Sequence, residues 1–527
     1  MRLTDIHRCE IRPGRLVTWT LHPTTVESVA ELPEDTRPPA YVQEAHVRTA
    51  RTVREDGLFV PTWLGTAFDI PGRVDLDVLQ GAFRAWTLRH ETLRSGFRWV
   101  DGPPGSPDDS PNSSSDGSPN SSLNDELRRF TLAAEDVVLH REDVGDFRDG
   151  AVLSRYLQDR FDIAADALTW PNFIYSAVVR DDGVSVYMAF DHTNVDSYSI
   201  FRIAHEIHQL YTAGLDGEAV DTAPVASYVD FCASERTHAD GIDETHSIVD
   251  EWRKFIARCD GKLPNFPVDL GLDPEGPLPT QKLMREWLTD DADAAAFEAY
   301  CRPYGGSMTG ILAATALIVR EISGQQVYRT VVPFHTRARS EWSDSVGWYV
   351  GGAPLEIPVG EVSDFDGALD LVRTALRAKR PLSRMPIARV LKLLGSDFRP
   401  TSPDLYSIVS FVDTRGIAGS ESWDDLKAYG LIRVSYGDQV CAWVTRLHEG
   451  LQFASRYPDT DVAQKNMRLY VARLRELIAS VARDAPADRG APRGAGLRPT
   501  AAPLRGAGSL HRPAATELPT TKTLTRP

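Results

Sequence analysis

The chain has 527 residues, of which 42% are apolar and 25% charged, and its formal net charge is −16. A single hydrophobic core stops growing at roughly 250–300 residues, so the length predicts two lobes with the composition of a globular enzyme. The negative charge excludes nucleic acid as the main partner, because phosphate binding requires a basic surface. It also disfavours permanent binding to anionic lipid.

Cysteine usage and apolar runs indicate a cytoplasmic chain. The five cysteines form no CxxC pair, which is typical of a reducing compartment and of neither a disulfide framework nor a zinc ribbon. The N-terminal stretch MRLTDIHRCEIRPG lacks the apolar core of a signal peptide. The longest apolar run, 310–319, is far shorter than the ~20 residues that cross a bilayer. We expect a cytoplasmic monomer without a stable membrane span.

In the first half of the chain, strand and helix patterns alternate. Residues 74–93 carry apolar side chains at helical spacing. Residues 171–192 form two β-rich runs around Asp181, Asp182 and Gly183, which predicts a hairpin. Helical periodicity follows over 199–215.

The second half continues the mixture. Helices are predicted over 227–236, 249–256, 305–324 and 466–482, and β-rich runs over 325–334, 405–416, 431–438 and 439–457. The pattern predicts an α/β (α+β) fold in which much of the sheet is antiparallel or mixed.

Two segments differ from the rest in composition. Residues 101–124 are almost entirely Ser, Pro, Asp, Asn and Gly, so we expect a disordered surface insertion. Residues 485–527 have seven basic and two acidic side chains and a net charge of +5, and we expect a disordered basic tail.

The stretch YMAFDHTNVDSYS, residues 187–199, places His192 at the end of an apolar strand and Asp196 four residues later. The strand brings His192 to the edge of a core, where water is partly excluded, and Asp196 is near enough to fold back and fix the loop. An imidazole with an ordinary pKa of ~6.5 suits a general base near neutrality. It could take a proton from a hydroxyl or amine that attacks a carbonyl, although a lone histidine at a strand end can also be structural.

Other chemistries are less well supported. The HEIH stretch places His205 and His208 at i, i+3 rather than at the HExxH spacing of a zinc site, so no metal is expected. The YGGSMTG stretch, 304–310, lacks the lysine of a phosphate-binding loop, and its glycines fit a turn into a helix. No G-x-S-x-G elbow occurs, and no cysteine has an obvious histidine partner, which disfavours a covalent acyl-enzyme.

Four motifs occur in the order used by one superfamily. FDHTNVDSYS resembles the HHxxxDG motif of condensation domains and chloramphenicol-acetyltransferase-like enzymes, and LRHETLRSGF (88–97) resembles their RHExLR motif. Residues 308–337 resemble their helix, strand and Arg block, and SVGWYVGGAPLEIPV (345–359) resembles their G-x-F-x-N-x-x-P-L block. RPPAYVQEAHVR (37–48) and GWYVGGAPLEIPV are most similar to polyketide-associated (Pap) acyltransferases, especially the branch that acylates trehalose-type glycolipids.

The resemblance implies two similar lobes, each a mixed sheet flanked by helices, that meet in a V around a tunnel. We expect an N-terminal lobe over 1–220 and a C-terminal lobe over 221–484. An acyl thioester on CoA or on a polyketide synthase carrier protein would enter the tunnel from one face, and a sugar or alcohol acceptor from the other. His192 would be the general base and Asp196 its structural partner, paired across the lobes with Arg337 as the first candidate and Arg339 as the second.

Three positions depart from the family pattern. Asp191 replaces the first histidine of the motif and could raise the pKa of His192. Ser197 replaces the final glycine and would be strained if the site requires a positive φ. The asparagine of the later block is replaced within Gly351-Gly352.

Further residues are expected in the tunnel. Gly347 and Trp348 remain from the later block and could line it, although Trp348 could also be a core residue. Ser407 and Ser410 on the YSIVSF strand are further tunnel candidates.

The sequence therefore predicts an O-acyltransferase that works by direct attack in a ternary complex, with no metal, nucleotide or other cofactor. Two alternatives stay open. The chain could be a standalone condensation enzyme that forms an amide on a carrier protein, or a catalytically silent carrier-binding module, which the altered DHxxxDS motif would favour.

Overall fold

The computed structural model describes residues 1–100, 125–217, 225–273, 276–400 and 407–484. The predicted insertion over 101–124, the predicted tail over 485–527 and the predicted lobe boundary at 220/221 lie outside these residues. The described residues belong to one compact unit by their contacts.

The described residues form helices and strands in alternation. The helices are α1 (Pro23–Ser28), α2 (Tyr41–Glu55), α3 (Leu76–Arg89), α4 (Gly150–Ala164), α5 (Ser197–Asp216), α6 (Tyr228–Asp240), α7 (Ser247–Ala257), α8 (Asp291–Cys301), α9 (Ser307–Ser323), α10 (Phe365–Lys379), α11 (Ile387–Leu394) and α12 (Asp461–Asp484). The strands are β1 (Arg2–Thr4), β2 (Gly14–Leu21), β3 (Leu64–Pro71), β4 (Ser95–Val100), β5 (Glu126–Thr131), β6 (Leu139–Phe147), β7 (Phe173–Arg180), β8 (Gly183–Phe190), β9 (Gln281–Asp290), β10 (Tyr328–His335), β11 (Val350–Ile357), β12 (Ile408–Asp413), β13 (Tyr429–Ile432), β14 (Cys441–Leu447) and β15 (Gly450–Pro458).

A seven-stranded sheet organises the first lobe, with strand order β1-β13-β3-β8-β7-β2-β6. The β1/β13 pair is parallel and the other pairs are antiparallel. The central strand β8 is buried along its whole length, as expected for a strand covered on both faces. Helices α3 and α5 pack on one face through a core that includes Phe83, Trp86 and Ile203, and α4 packs on the other through Leu157 and Phe161.

A six-stranded sheet organises the second lobe, with strand order β11-β10-β12-β14-β15-β9. The pairs β10/β12 and β12/β14 are parallel, and the outer pairs are antiparallel. Helix α9 is almost entirely buried against this sheet, together with α8, α10 and α12. A separate two-stranded sheet joins β4 to β5.

At strand β13 the chain passes from the second lobe into the sheet of the first lobe. This strand comes from the C-terminal half of the chain, yet it inserts between β1 and β3 of the first sheet. Arg433, immediately after β13, forms two 2.8 Å hydrogen bonds to Asp162 at the end of α4, and this carboxylate also accepts the indole N–H of Trp63 at 2.7 Å. The chain crossing ties the lobes together.

The predicted α/β class with two mixed, helix-flanked sheets is confirmed. The predicted hairpin is β7–β8, and the helix predicted after it is α5. The β-rich run predicted over 431–438 is a strand only in its first residues, because β13 ends at Ile432. Within the described part of the chain, no helix has both the length and the apolar character that a bilayer crossing requires.

Candidate active site

The turn between β8 and α5 carries the residues that the sequence singled out. Asp191, Thr193, Asn194 and Asp196 are buried, whereas His192 is half-buried. The strand therefore delivers one imidazole to a partly enclosed position within a turn whose other side chains point into the protein.

Hydrogen bonds from three separate segments fix this turn. The amide of Asn172 donates to Thr193 Oγ1 at 3.0 Å and accepts from the amide of Asn194 at 2.6 Å. Gln43 of α2 donates to the carbonyl oxygen of Thr193 at 2.8 Å. Thr92, from the RHExLR-like motif, donates to Asn194 Oδ1 at 3.2 Å. The motif at 88–97 thus acts on the site through the loop rather than by direct contact with His192.

Asp196 forms a buried ion pair with Arg337, which lies between β10 and β11. Arg337 Nη1 and Nη2 donate to the two carboxylate oxygens at 2.6 and 3.0 Å, and both side chains are only 5% exposed. Burial raises the pKa of Asp196, but the charge and hydrogen bonds of Arg337 outweigh it, so the pKa lies below its ordinary value.

The same carboxylate joins two elements. As the N-cap of α5, Asp196 accepts from the backbone N–H and the hydroxyl of Ser199 at 2.8 and 2.7 Å. It also accepts from the backbone N–H of Tyr349 at 3.1 Å. Asp196 therefore holds the segment around Trp348 against the start of α5.

Trp348 stacks on His192. The ring centroids lie 3.8 Å apart with an interplanar angle of 27°. The neighbouring Gly347 donates its N–H to Ser199 Oγ at 3.2 Å, and a Cβ at this position would lie 2.4 Å from the ring of Tyr228. Glycine is required here because the Tyr228 ring, whose hydroxyl donates to the Trp348 carbonyl at 3.0 Å, occupies the space.

His192 is held as a neutral imidazole. Burial, followed by the positive charge of His46, lowers its pKa to about 4, so the ring is unprotonated at neutral pH. Its Nδ1 is enclosed and hydrogen-bonds to no other side chain among the described residues, and the hydrogen bond that raises the pKa of His192 is to its own backbone. Trp348 stacks on one face of the imidazole ring. The lone pair of the basic nitrogen lies in the plane of the ring, so the stack does not cover it.

His46 of α2 lies beside His192 and Trp348. Its Nε2 lies 3.0 Å from Asp191 Oδ2, and its ring centroid lies 6.4 Å from that of His192 and 5.5 Å from that of Trp348. Burial lowers the pKa of His46, but Asp191 raises it more, and the pKa of Asp191 is correspondingly lowered. The contact therefore favours the imidazolium form of His46 and the carboxylate form of Asp191.

Several predicted residues lie elsewhere or behave differently. Arg339 does not join the Asp196 pair, because its side chain is 65% exposed and its ion-pair partner is Glu341. Ser407 Oγ accepts the backbone N–H of Val440 between two strands, and Ser410 is buried on β12. No hydrogen bond or ring contact among the described residues joins either serine to His192.

The departures from the motif have local explanations. Asp191 replaces the first histidine of the motif, and its side chain contacts a histidine from another element, His46. Its expected effect of raising the pKa of His192 is outweighed by burial and by His46. Ser197 is the first residue of α5 and is not among the non-glycine residues with positive φ, so the strain considered for it does not arise. Gly351 permits close approach, since a Cβ there would lie 2.3 Å from the carbonyl oxygen of Ser383.

The sequence reasoning missed His46. It lies in RPPAYVQEAHVR, which was noted only for its resemblance to a motif, and its partner Asp191 is 145 positions away. Two features of the sequence could have suggested the pair. His46 lies in a stretch that resembles the family, and Asp191 replaces a histidine of the family motif.

Comparison with known proteins identifies the family. The family model described as "Condensation domain" matches residues 122–414. Trehalose-2-sulfate acyltransferase PapA2 of Mycobacterium tuberculosis (strain H37Rv) is 26% identical over 88% of this chain and 94% of its own length. The 2'-acyl-2-O-sulfo-trehalose (hydroxy)phthioceranyltransferase PapA1 of M. tuberculosis (strain CDC 1551) is 26% identical over 93% of this chain and 90% of its own.

Solved structures give the same assignment of fold. The structure of PapA2 acyl transferase superposes with a TM-score of 0.80 at 24% identity and covers 92% of this chain and 100% of that one. The first condensation domain of the calcium-dependent antibiotic synthetase superposes with a TM-score of 0.59 at 16% identity, covering 87% and 100%. The predicted resemblance to Pap acyltransferases and condensation domains is confirmed.

Proposed function

The chain belongs to the condensation-domain family, and from this premise we propose that it is an O-acyltransferase acting on a sugar or a polyketide-derived alcohol. The acyl group would come from a thioester, either acyl-CoA or an acylated carrier protein, and no metal, nucleotide or other cofactor would take part. The observation that carries the proposal is His192, a neutral and half-buried imidazole presented by a fixed turn between the two lobes.

The proposed reaction needs one base and two substrates. His192 takes the proton of the acceptor hydroxyl while the hydroxyl oxygen bonds to the thioester carbonyl carbon, which gives a tetrahedral intermediate. Collapse breaks the carbon–sulfur bond, and the imidazolium returns its proton to the departing thiolate. A positioned base of this kind contributes roughly 10²–10⁴-fold to the rate.

The lowered pKa of His192 keeps the ring unprotonated at neutral pH, but it also makes the imidazole a weaker base than one with a pKa near 6.5. A general base must be unprotonated before it acts, and burial together with the His46 charge disfavours the imidazolium form. Asp196 does not touch the reacting atoms in this scheme. Its five hydrogen bonds to Arg337, Ser199 and Tyr349 hold the turn and the Trp348 segment in place.

The sugar acceptor is favoured by the names of the relatives. PapA2 is named a trehalose-2-sulfate acyltransferase and PapA1 a phthioceranyltransferase on an acylated sulfo-trehalose. By analogy we propose a trehalose-type glycolipid acceptor for this chain, with an amide-forming condensation reaction as the alternative.

The test separates these acceptors. Purified protein is incubated with palmitoyl-CoA or acetyl-CoA and with trehalose, sulfated trehalose or an aminoacyl thioester, and the products are identified by mass spectrometry. An ester of either sugar supports the proposal. Formation of an amide with no ester identifies a condensation enzyme, and the absence of any thioester turnover above the buffer rate identifies a silent binding module.

A further inference from the structure

His192 has no carboxylate on its second ring nitrogen among the described residues. In a Ser-His-Asp triad a carboxylate accepts from the second ring nitrogen and fixes both tautomer and orientation. Here Nδ1 is enclosed and no other side chain among the described residues bonds to it, while the backbone hydrogen bond of the ring lies within His192 itself. Asp196, four positions along, is committed to Arg337, Ser199 and Tyr349. The contacts that other side chains make with the ring are therefore the ring contacts with Trp348 and His46.

We propose that His46 and Trp348 are positioning residues that orient His192 by ring packing, with the His46–Asp191 pair adjusting the electrostatics beside the base. This inference rests on the proposed role of His192 as general base. The three rings form one cluster, with His192 stacked on Trp348 at 3.8 Å, His46 edge-on to Trp348 at 5.5 Å, and His46 6.4 Å from His192.

Each of the two positioning residues has its own anchor. His46 is held through Asp191, whose Oδ2 lies 3.0 Å from its Nε2 and whose Oδ1 accepts the Thr193 backbone N–H at 2.9 Å. Trp348 is held through its chain neighbours, since Gly347 donates to Ser199 and Tyr349 donates to Asp196. The ring of His192 is therefore packed between a helix of the first lobe and a loop of the second.

The charges around the cluster give the expected direction of a pH effect. His192 faces His46 from α2 and, from its own turn, Asp191 and Asp196, the latter neutralised by Arg337. His46 faces Asp191 and His192, with Asp166 after α4 as a further negative charge. Removal of the His46 charge leaves the carboxylates unopposed, so His192 should accept a proton at a higher pH.

The test uses kcat, KM and the acid limb of kcat/KM for H46Q, the double variant H46Q/D191N, W348F and W348A. Glutamine can still donate to Asp191, so H46Q removes the charge and the ring while it keeps a hydrogen bond. The controls are H238Q, at an exposed position of α6, and W287F, at an exposed position of β9.

The inference predicts that H46Q loses about tenfold to a hundredfold in kcat with little change in KM, as for a misplaced catalytic group. The acid limb of kcat/KM for H46Q should lie about one pH unit higher than that of wild type, as expected when a neighbouring charge is lost. The acid limb of H46Q/D191N should lie at a pH between those of H46Q and wild type. W348F should retain most of the kcat that W348A loses. An NMR titration of the His192 ring gives the same shift independently of turnover.

Three outcomes separate the inference from the function on which it rests. If H192A turns over thioester as fast as wild type, the proposed function fails. If H192A is inactive while the H46Q acid limb stays at the wild-type pH, or while W348F and W348A have equal kcat, the positioning role is wrong and the base assignment stands. If H46Q does not fold, the comparison of W348F with W348A decides.

Discussion

The buried ion pair between Asp196 and Arg337 gives the sharpest stability prediction, because the chain offers a matched control two residues away. Arg337 is 5% exposed and makes two hydrogen bonds to the carboxylate, whereas Arg339 is 65% exposed and pairs with Glu341 at 3.3 Å. The variants R337Q and R339Q each remove one positive charge from the same segment.

The expected cost follows from what remains around Asp196. Removal of one member of a buried pair costs about 3–5 kcal/mol, since the other charge is left buried without compensation. Ser199 still donates through its backbone and hydroxyl and Tyr349 through its backbone, so we expect the lower end, about 3 kcal/mol. R339Q should lie within about 0.5 kcal/mol of wild type, as surface substitutions do.

Urea denaturation of the three proteins measures the free energies of unfolding at pH 7. The pKa of Asp196 is lower in the folded protein than in the unfolded chain. The ion pair therefore stabilises the folded protein fully at pH values above the unfolded carboxyl pKa of about 3.9, and this stabilisation is lost as the pH falls through the folded pKa. The gap between wild type and R337Q should therefore narrow in acid. A cost below about 1 kcal/mol for R337Q, equal to that of R339Q, would refute the reasoning.

Two further predictions concern the site itself. Because the pKa of His192 is lowered to about 4, kcat/KM of wild type should stay constant as pH falls from 8 to 6.5 and decline only below that, and an acid limb at or above pH 6.5 would contradict this. The substitution G347A places a Cβ 2.4 Å from the Tyr228 ring, so it should cost about 1–3 kcal/mol in urea denaturation and also lower kcat. The control G81A, with no atom within 4 Å of the added Cβ on α3, should be neutral or stabilising; equal losses in both would count against the packing argument.

Local patterns in the sequence identified the elements that carry the site. The β7–β8 hairpin followed by α5 was predictable because its turn residues and its two periodicities lie next to one another in the chain. Arg337 was reached through the resemblance to the family and not through local periodicity. In the structure it lies 141 positions from Asp196 and binds it with both terminal guanidinium nitrogens, Nη1 and Nη2.

The sequence could not reveal features that depend on distant partners. A strand pattern over 431–438 does not tell which sheet the strand joins, and the insertion of β13 beside β3 depends on contacts such as that of Thr66 Oγ1 with the Tyr429 carbonyl at 3.1 Å. His46 was missed for the same reason. Helical periodicity places it on α2, but only the packing of α2 against the β8–α5 turn brings it to Asp191.

The measurement that tests the account most directly is thioester turnover by wild type and H192A, with trehalose and palmitoyl-CoA, followed as release of free thiol. If His192 takes the proton from the acceptor, H192A should lose about 10²–10⁴-fold in rate while its urea midpoint stays close to that of wild type. Equal rates in the two proteins, with the slow hydrolysis to water included, would contradict the central claim that this imidazole is the base.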